Sequence, residues 1–314
     1  MNSWRVLHAT LVFSIAAATA GAQNQPLHPQ DTPPVQTPQV APAAQATPQE
    51  PLPQNANDYI RQAVQHELAE QDSDHSHWRY SLHREDDKGT QDRDVIETTE
   101  GSLSRTLLKF GRPLTADERE QDEARMNKQI SDPAERAKHS KREKDDAEKA
   151  KNMLKAIPDA FIFQYDGEED GCVRLTFNPN SRYTPPSREL HVFHSLRGKI
   201  WIDRAQKRLA RVEGSLFEDV TFGFGLLGRL NKGGTFKVVQ QQVAPQHWEA
   251  VSLDININGH AVLFKTINVK HRQMLSGFQR VSDSLTLDQA YEMLRKASPV
   301  SAGNTAAAAP QGKD

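Results

Sequence analysis

The chain of 314 residues holds a single cysteine, Cys172. No internal disulfide can form, so packing and hydrogen bonding must hold the fold together. Aromatic residues make up only 7% and hydrophobic residues 36%, with a mean hydropathy of -0.71. That is polar for a globular protein, yet enough for one core once polar tails are set aside. An excess of one charge is also missing: 39 Lys and Arg stand against 41 Asp and Glu, a formal net charge of -2. Nucleic acid and anionic membrane surfaces are therefore not the expected partners. Beyond residue 22 no apolar run is long enough to cross a bilayer, so the mature chain is expected to have no transmembrane segment.

What the sequence does have begins at its first residues. Arg5, an apolar run from Val6 to about Ala18 and the small-residue site Ala20-Gly21-Ala22 read as a secretory signal peptide over residues 1–22. Export to the periplasm or the extracellular space is the expectation. No cysteine follows the apolar run, which disfavours a bacterial lipid-anchored form. Residues 23–55, rich in Pro, Gln and Ala, cannot bury enough apolar surface to offset ordering entropy and read as a disordered spacer; residues 298–314 read as a similar tail.

Between the tails, residues 56–297 read as one domain. Asn57 or Asp58 is the expected cap of a first helix reaching about Gln71, with Ile60, Val64 and Leu68 as its apolar stripe. From His77 the period changes to two, as Trp78, Tyr80 and Leu82 alternate with polar residues. Further strands are expected over 93–99, 103–110, 161–165 and 173–177, and then over 199–203, 209–220, 235–243 and 249–257. An Asn258-Gly259 hairpin turn should pair the last of these with 261–269. A charged insertion over 115–155 interrupts the strands. Thr115 with Glu118 forms a capping box and Asp132-Pro133 gives a second start, so two helices are expected there. Residues 286–296 should form a closing helix.

Thr221 to Thr235, TFGFGLLGRLNKGGT, contains Gly223, Gly225 and Gly228 at G-x-G-x-x-G spacing. A dinucleotide site needs a helix after the third glycine and a parallel βαβ unit around it. Two successive glycines, Gly233 and Gly234, follow instead, and the neighbours read as antiparallel hairpins. No cofactor is expected. Asp74-His75-Ser76-His77 and His191-x-x-His194 invite a metal, but their spacing matches no common site and surface histidines explain them as well. Cys172 opens a strand beside the acidic residues Glu168, Glu169 and Asp170, where a thiolate is disfavoured. No catalytic constellation emerges.

The segment GKIWIDRAQKRLARVEG, Gly198 to Gly214, is similar to a strand-turn-strand element of the superfamily of periplasmic lipoprotein carriers with the LolA/LolB-like fold, which also includes envelope-stress sensors. FNPNSRYTPPSRELHVFHSLRGKIWID and the FGFGLLGRLNKGGTF loop more closely resemble an exported bacterial family, to which the resemblance attaches no activity. It implies an α+β fold, a strongly curved antiparallel sheet or incomplete β-barrel with covering helices. A noncatalytic protein binding a lipid or lipoprotein acyl chain in an apolar half-barrel is then expected. Trp201, Phe222, Phe224, Leu226 and Leu227 are the candidate lining residues. The alternative is an envelope interaction or stress-sensor protein that binds a protein partner through its charged helices.

Overall fold

The computed structural model describes residues 51–222, 228–261 and 265–296, the side chains of 222, 261 and 265–268 excepted. The leader, most of the spacer, the centre of the glycine-rich loop and the tail lie outside the described residues.

Helix α1 (Ala56–Ser73) is followed by β1 (His77–Asp86), β2 (Gly89–Thr98), β3 (Gly101–Lys109) and the short β4 (Arg112–Pro113). The insertion forms α2 (Ala116–Ser131) and α3 (Pro133–Ala160). Strands β5 (Phe161–Glu169) and β6 (Cys172–Pro179), a 3-10 helix (Glu189–Ser195), β7 (Leu196–Asp203) and β8 (Leu209–Leu216) come next. The chain continues through β9 (Val220–Phe222), β10 (Gly228–Leu230), β11 (Thr235–Ala244), β12 (His247–Ala261), β13 (Lys265–Val281) and α4 (Leu287–Lys296). All thirteen strands join one antiparallel sheet in the order β4-β3-β2-β1-β13-β12-β11-β8-β7-β6-β5, with the β9–β10 hairpin attached to the end of β12. The sheet does not close, and the fold is α+β.

Local chemistry explains the helix boundaries. Thr115 and Glu118 cap α2 reciprocally, and Asp132 caps α3 with Pro133 in its first turn. The cap of α1 is Asn55 rather than Asn57 or Asp58. Asn57 is committed elsewhere: its Nδ2 donates to the carbonyls of Pro158 and Phe161, and its Oδ1 accepts the Phe163 N–H at 3.0 Å. One side-chain amide thus satisfies two outward backbone groups at the start of edge strand β5, which would otherwise invite another strand. Helix α3 also runs through Pro158 to Ala160, beyond the insertion expected to end at 155.

The Asn258-Gly259 turn is not there. Both residues lie inside β12, where Gly259 pairs with both Ile267 and Leu230. A side chain at Gly259 would come within 2.3 Å of the Arg229 carbonyl. The glycine serves a close approach of β10, not a reversal.

Side chains alternate across the sheet, so Val95 and Ile96 enter opposite faces. The inner face bears Tyr80, Leu175, Ile200 and Leu253, and α1 and α3 lie over it. The outer face of β2 and β3, with Ile96 and Leu103, is covered by α2 and α4. Helix α3 measures the curl. Glu143 bonds Ser102 on β3, while Ala160 abuts β5 near the other edge. The seventeen residues between them rise about 26 Å, whereas the nine strand steps from β3 to β5 would span about 43 Å if flat.

Candidate functional site

Two apolar clusters share the inner face. The first is built by helices and strands together: Tyr59, Ile60, Ala63 and Val64 of α1 and Leu154 of α3 pack on β5 to β8. The second is formed by strands alone. Trp78, Tyr80, Leu82, Val95, Ala250, Leu253, Ile255 and Leu275 bury one another, and Phe236 and Ile257 connect them to the first cluster. Phe278 stacks on Tyr80 at 5.2 Å and meets Trp78 edge-on at 6.5 Å. The curled strands therefore line an apolar trough to which no helix side chain belongs among the described residues.

Polar groups interrupt this trough. The Tyr80 hydroxyl and Gln240 Oε1 are buried without a hydrogen-bond partner. Burial, and then the carboxylates of Glu97 and Glu249, hold the Tyr80 phenol protonated far above its ordinary range. An unsatisfied buried polar group costs about 1–3 kcal/mol, so these atoms mark places where a ligand or water gains a bond.

At the α1 end of the trough lies a charged latch. Arg208, just before β8, makes a bidentate pair with Glu67 of α1, at 2.8 and 3.0 Å, with the two side chains 7% and 1% exposed. About two turns later, Asp74 after α1 meets His247 Nδ1 at 2.8 Å, and His247 Nε2 lies 2.9 Å from Glu249. Trp78 stacks on the imidazole at 4.3 Å. Burial opposes charge on His247, but its hydrogen bonds to Asp74 and Glu249 prevail and push its pKa up to about 9. The Asp74 carboxyl, which burial alone would raise, is held well below the usual carboxylate range by bonds from His247 and Ser76.

This geometry fastens an element and does not relay a proton. Both imidazole nitrogens face carboxylates, so neither can take a proton from a nucleophile. Ser76 Oγ donates to Asp74 and accepts from the Trp78 indole. The cleft beside the latch, lined by residues including Glu70, Gln246 and Trp248, encloses about 20 Å³. That is room for a water molecule, whereas ligand pockets occupy about 300–1,000 Å³.

The residues singled out in the sequence are spread widely. Trp201 alternates with Ile200 and Ile202 and so lies on the outer face, with the Arg211 guanidinium 4.2 Å from its ring centre and its indole donating to Glu169. The backbone of Phe222 ends β9; Phe224, Leu226 and Leu227 lie outside the described residues. Gly228 opens a strand rather than a helix, which removes the dinucleotide turn. His191 and His194 sit on the 3-10 helix with ring centres 6.4 Å apart. No group of three or more His, Cys, Asp or Glu side chains converges for a metal among the described residues. Burial, then Asp203 and its acidic neighbours, raises the Cys172 thiol.

Sequence reasoning missed the latch. Asp74 stood out only beside histidines, and Glu249 only as the first residue of an expected strand. Nothing local marks Glu67, Arg208 or His247, because their partners lie on other elements.

No family model matches the chain, and no curated protein matches it. Among solved structures, the chain is similar to the crystal structure of a DUF1329 family protein from Desulfovibrio piger, at 10% identity and a TM-score of 0.25. The match covers 75% of this chain and 98% of that one. A score at that level carries no argument about fold or function.

Proposed function

We propose that this chain is an exported, noncatalytic binding protein that takes up a lipid or another acylated ligand along the strand-lined trough. One observation carries the reading: an apolar trough built from strands alone continues the face that α1 and α3 cover, and α1 is fastened by charges toward its C-terminal end beside it. Burying an acyl chain releases about 0.8 kcal/mol per CH2, so no polar catalyst is needed for useful affinity. The trough is filled by its own side chains, so uptake requires these side chains to part. Support for export is the basic, apolar and small-residue leader in residues 1–22.

The test is titration of the full chain with an alkyl amphiphile bearing an uncharged head. Saturable uptake, a change in Trp78 fluorescence and a raised melting temperature are expected; Trp78→Phe should remove the optical signal but retain the binding. No saturable uptake and an unmoved melting temperature would overturn the reading.

One observation favours the second reading, a protein-binding role for the insertion. Of its sixteen residues, α2 buries only Met126 and Gln129. Loss of an envelope partner on deleting the insertion, with the sheet still folded, is what that reading requires.

A further inference from the structure

At the far end of the same inner face, three buried donors point to a second polar site. Arg84 on β1 is the direct cross-strand neighbour of Gln273 on β13, and Arg93 on β2 faces Leu82, two residues before Arg84. The period-two rule puts Arg84, Arg93 and Gln273 on the side that bears Leu82 and Leu275. His271, opposite Asp86, joins them. Gln273 and His271 are each 3% exposed.

The unpartnered atoms here are all of one kind. Arg84 Nε, Arg93 Nε and Gln273 Nε2 are buried with no hydrogen-bond partner, and each carries a hydrogen to give. Other atoms of these three side chains are engaged. Arg84 Nη2 pairs with Asp86 at 2.7 Å, Arg93 Nη2 donates to Gln91 Oε1 at 2.7 Å, and Gln273 Oε1 lies 3.2 Å from His271 Nε2. Of the acids nearby, Asp86 is held by Arg84 and the Lys88 N–H, and Asp122 by Arg125 and Thr106. Burial, followed by the charge of Arg125, makes the Arg93 cation harder to keep than usual; Asp122 and Asp86 offset only part of this, and Arg84 adds to it. Extra positive charge and idle donors together call for an acceptor that is itself anionic.

We infer that Arg84, Arg93 and Gln273 form a binding site for an oxyanion, a phosphate, sulfate or carboxylate group, at the end of the trough opposite the latch. The oxyanion arrives either as the head of an acylated ligand or free in solution. The first source rests on the trough reading; the second does not. The half-exposed Arg84 side chain gives access from solvent.

The experiment is an NMR titration of the full chain with inorganic phosphate and then sulfate, following the Arg Nε–H and Gln side-chain amide signals. Saturable shifts at Arg84, Arg93 and Gln273 are expected, weakened about tenfold in Arg93→Gln and in Gln273→Leu, the loss of one charge-assisted bond. A spectrum unchanged elsewhere shows that each variant is folded. No shift with either anion, or equal shifts in the variants, would overturn the site. Two amphiphiles sharing one tail, with phosphate and uncharged heads, separate the sources. Tighter uptake of the phosphate head assigns the site to a headgroup. Phosphate binding with uptake of neither amphiphile leaves a free-anion site and removes the trough reading. Equal uptake of both, with Arg and Gln signals unmoved, keeps the trough and removes the anion site.

Discussion

Glu67 and Arg208 show how a residue pair can fix where a helix ends up. Removing water from both is expensive, and the two parallel hydrogen bonds between them are the main compensation, with Gln71 donating to Glu67 and the Trp248 ring beside Arg208. Deleting one partner should therefore cost more than deleting both. Glu67→Ala is expected to lower stability by about 3–5 kcal/mol, while the double change Glu67→Leu with Arg208→Met should be much closer to wild type. Urea denaturation of the three variants checks this; equal losses in the single and double variants would contradict it. Gly198 and Gly214 give a second case. They are direct cross-strand partners, and a Cβ at Gly198 would lie 1.9 Å from the Glu213 carbonyl, while one at Gly214 would enter the Phe236 ring. Gly198→Ala must push two backbones apart and should cost at least about 1–3 kcal/mol, read from the same denaturation curves. The sequence displayed both glycines at the ends of one conspicuous segment, but their facing each other is a matter of register.

At the scale of elements, the latch makes the attachment of α1 depend on pH. His247 is raised from its ordinary 6.5 to about 9, so its contribution is complete below pH 6.5 and is lost as pH rises through about 9. Asp74 works in the opposite direction: its contribution is complete above its ordinary 3.8 and is lost only in stronger acid. Between about pH 4 and 6.5 both are present in full. Hydrogen exchange at the C-terminal turns of α1 should accelerate between pH 7 and 10 beyond the intrinsic increase, and His247→Gln should abolish that excess. An unchanged pH profile in the variant would refute the latch. Most elements were legible in the sequence because period-two alternation and capping residues act locally: Trp78, Tyr80 and Leu82 mark β1, and Thr115 with Glu118 marks α2. The errors arose where tertiary contact overrides local preference. Asn258-Gly259 reads as a turn until β10 approaches it, and Asn57 reads as a cap until β5 takes its amide.

At the scale of the whole molecule, the sheet curls until one helix reaches from β3 to β5, and the curl lets strand side chains from β1, β2, β12 and β13 bury one another. Curvature of this kind was legible only as an implication of resemblance, because nothing in a strand's own pattern says which distant strand it will face. The trough and its polar ends were illegible for the same reason: Arg84 and Gln273 are neighbours through register, 189 residues apart in the chain. The central claim is that this trough holds a ligand. Native mass spectrometry of mature protein purified without detergent from an exporting host, with organic extraction of whatever is bound, tests it most directly. A defined adduct of lipid size is the predicted result. A bare chain mass, with no uptake of fluorescent fatty acid afterwards, would contradict the claim and leave the charged helices as the working surface.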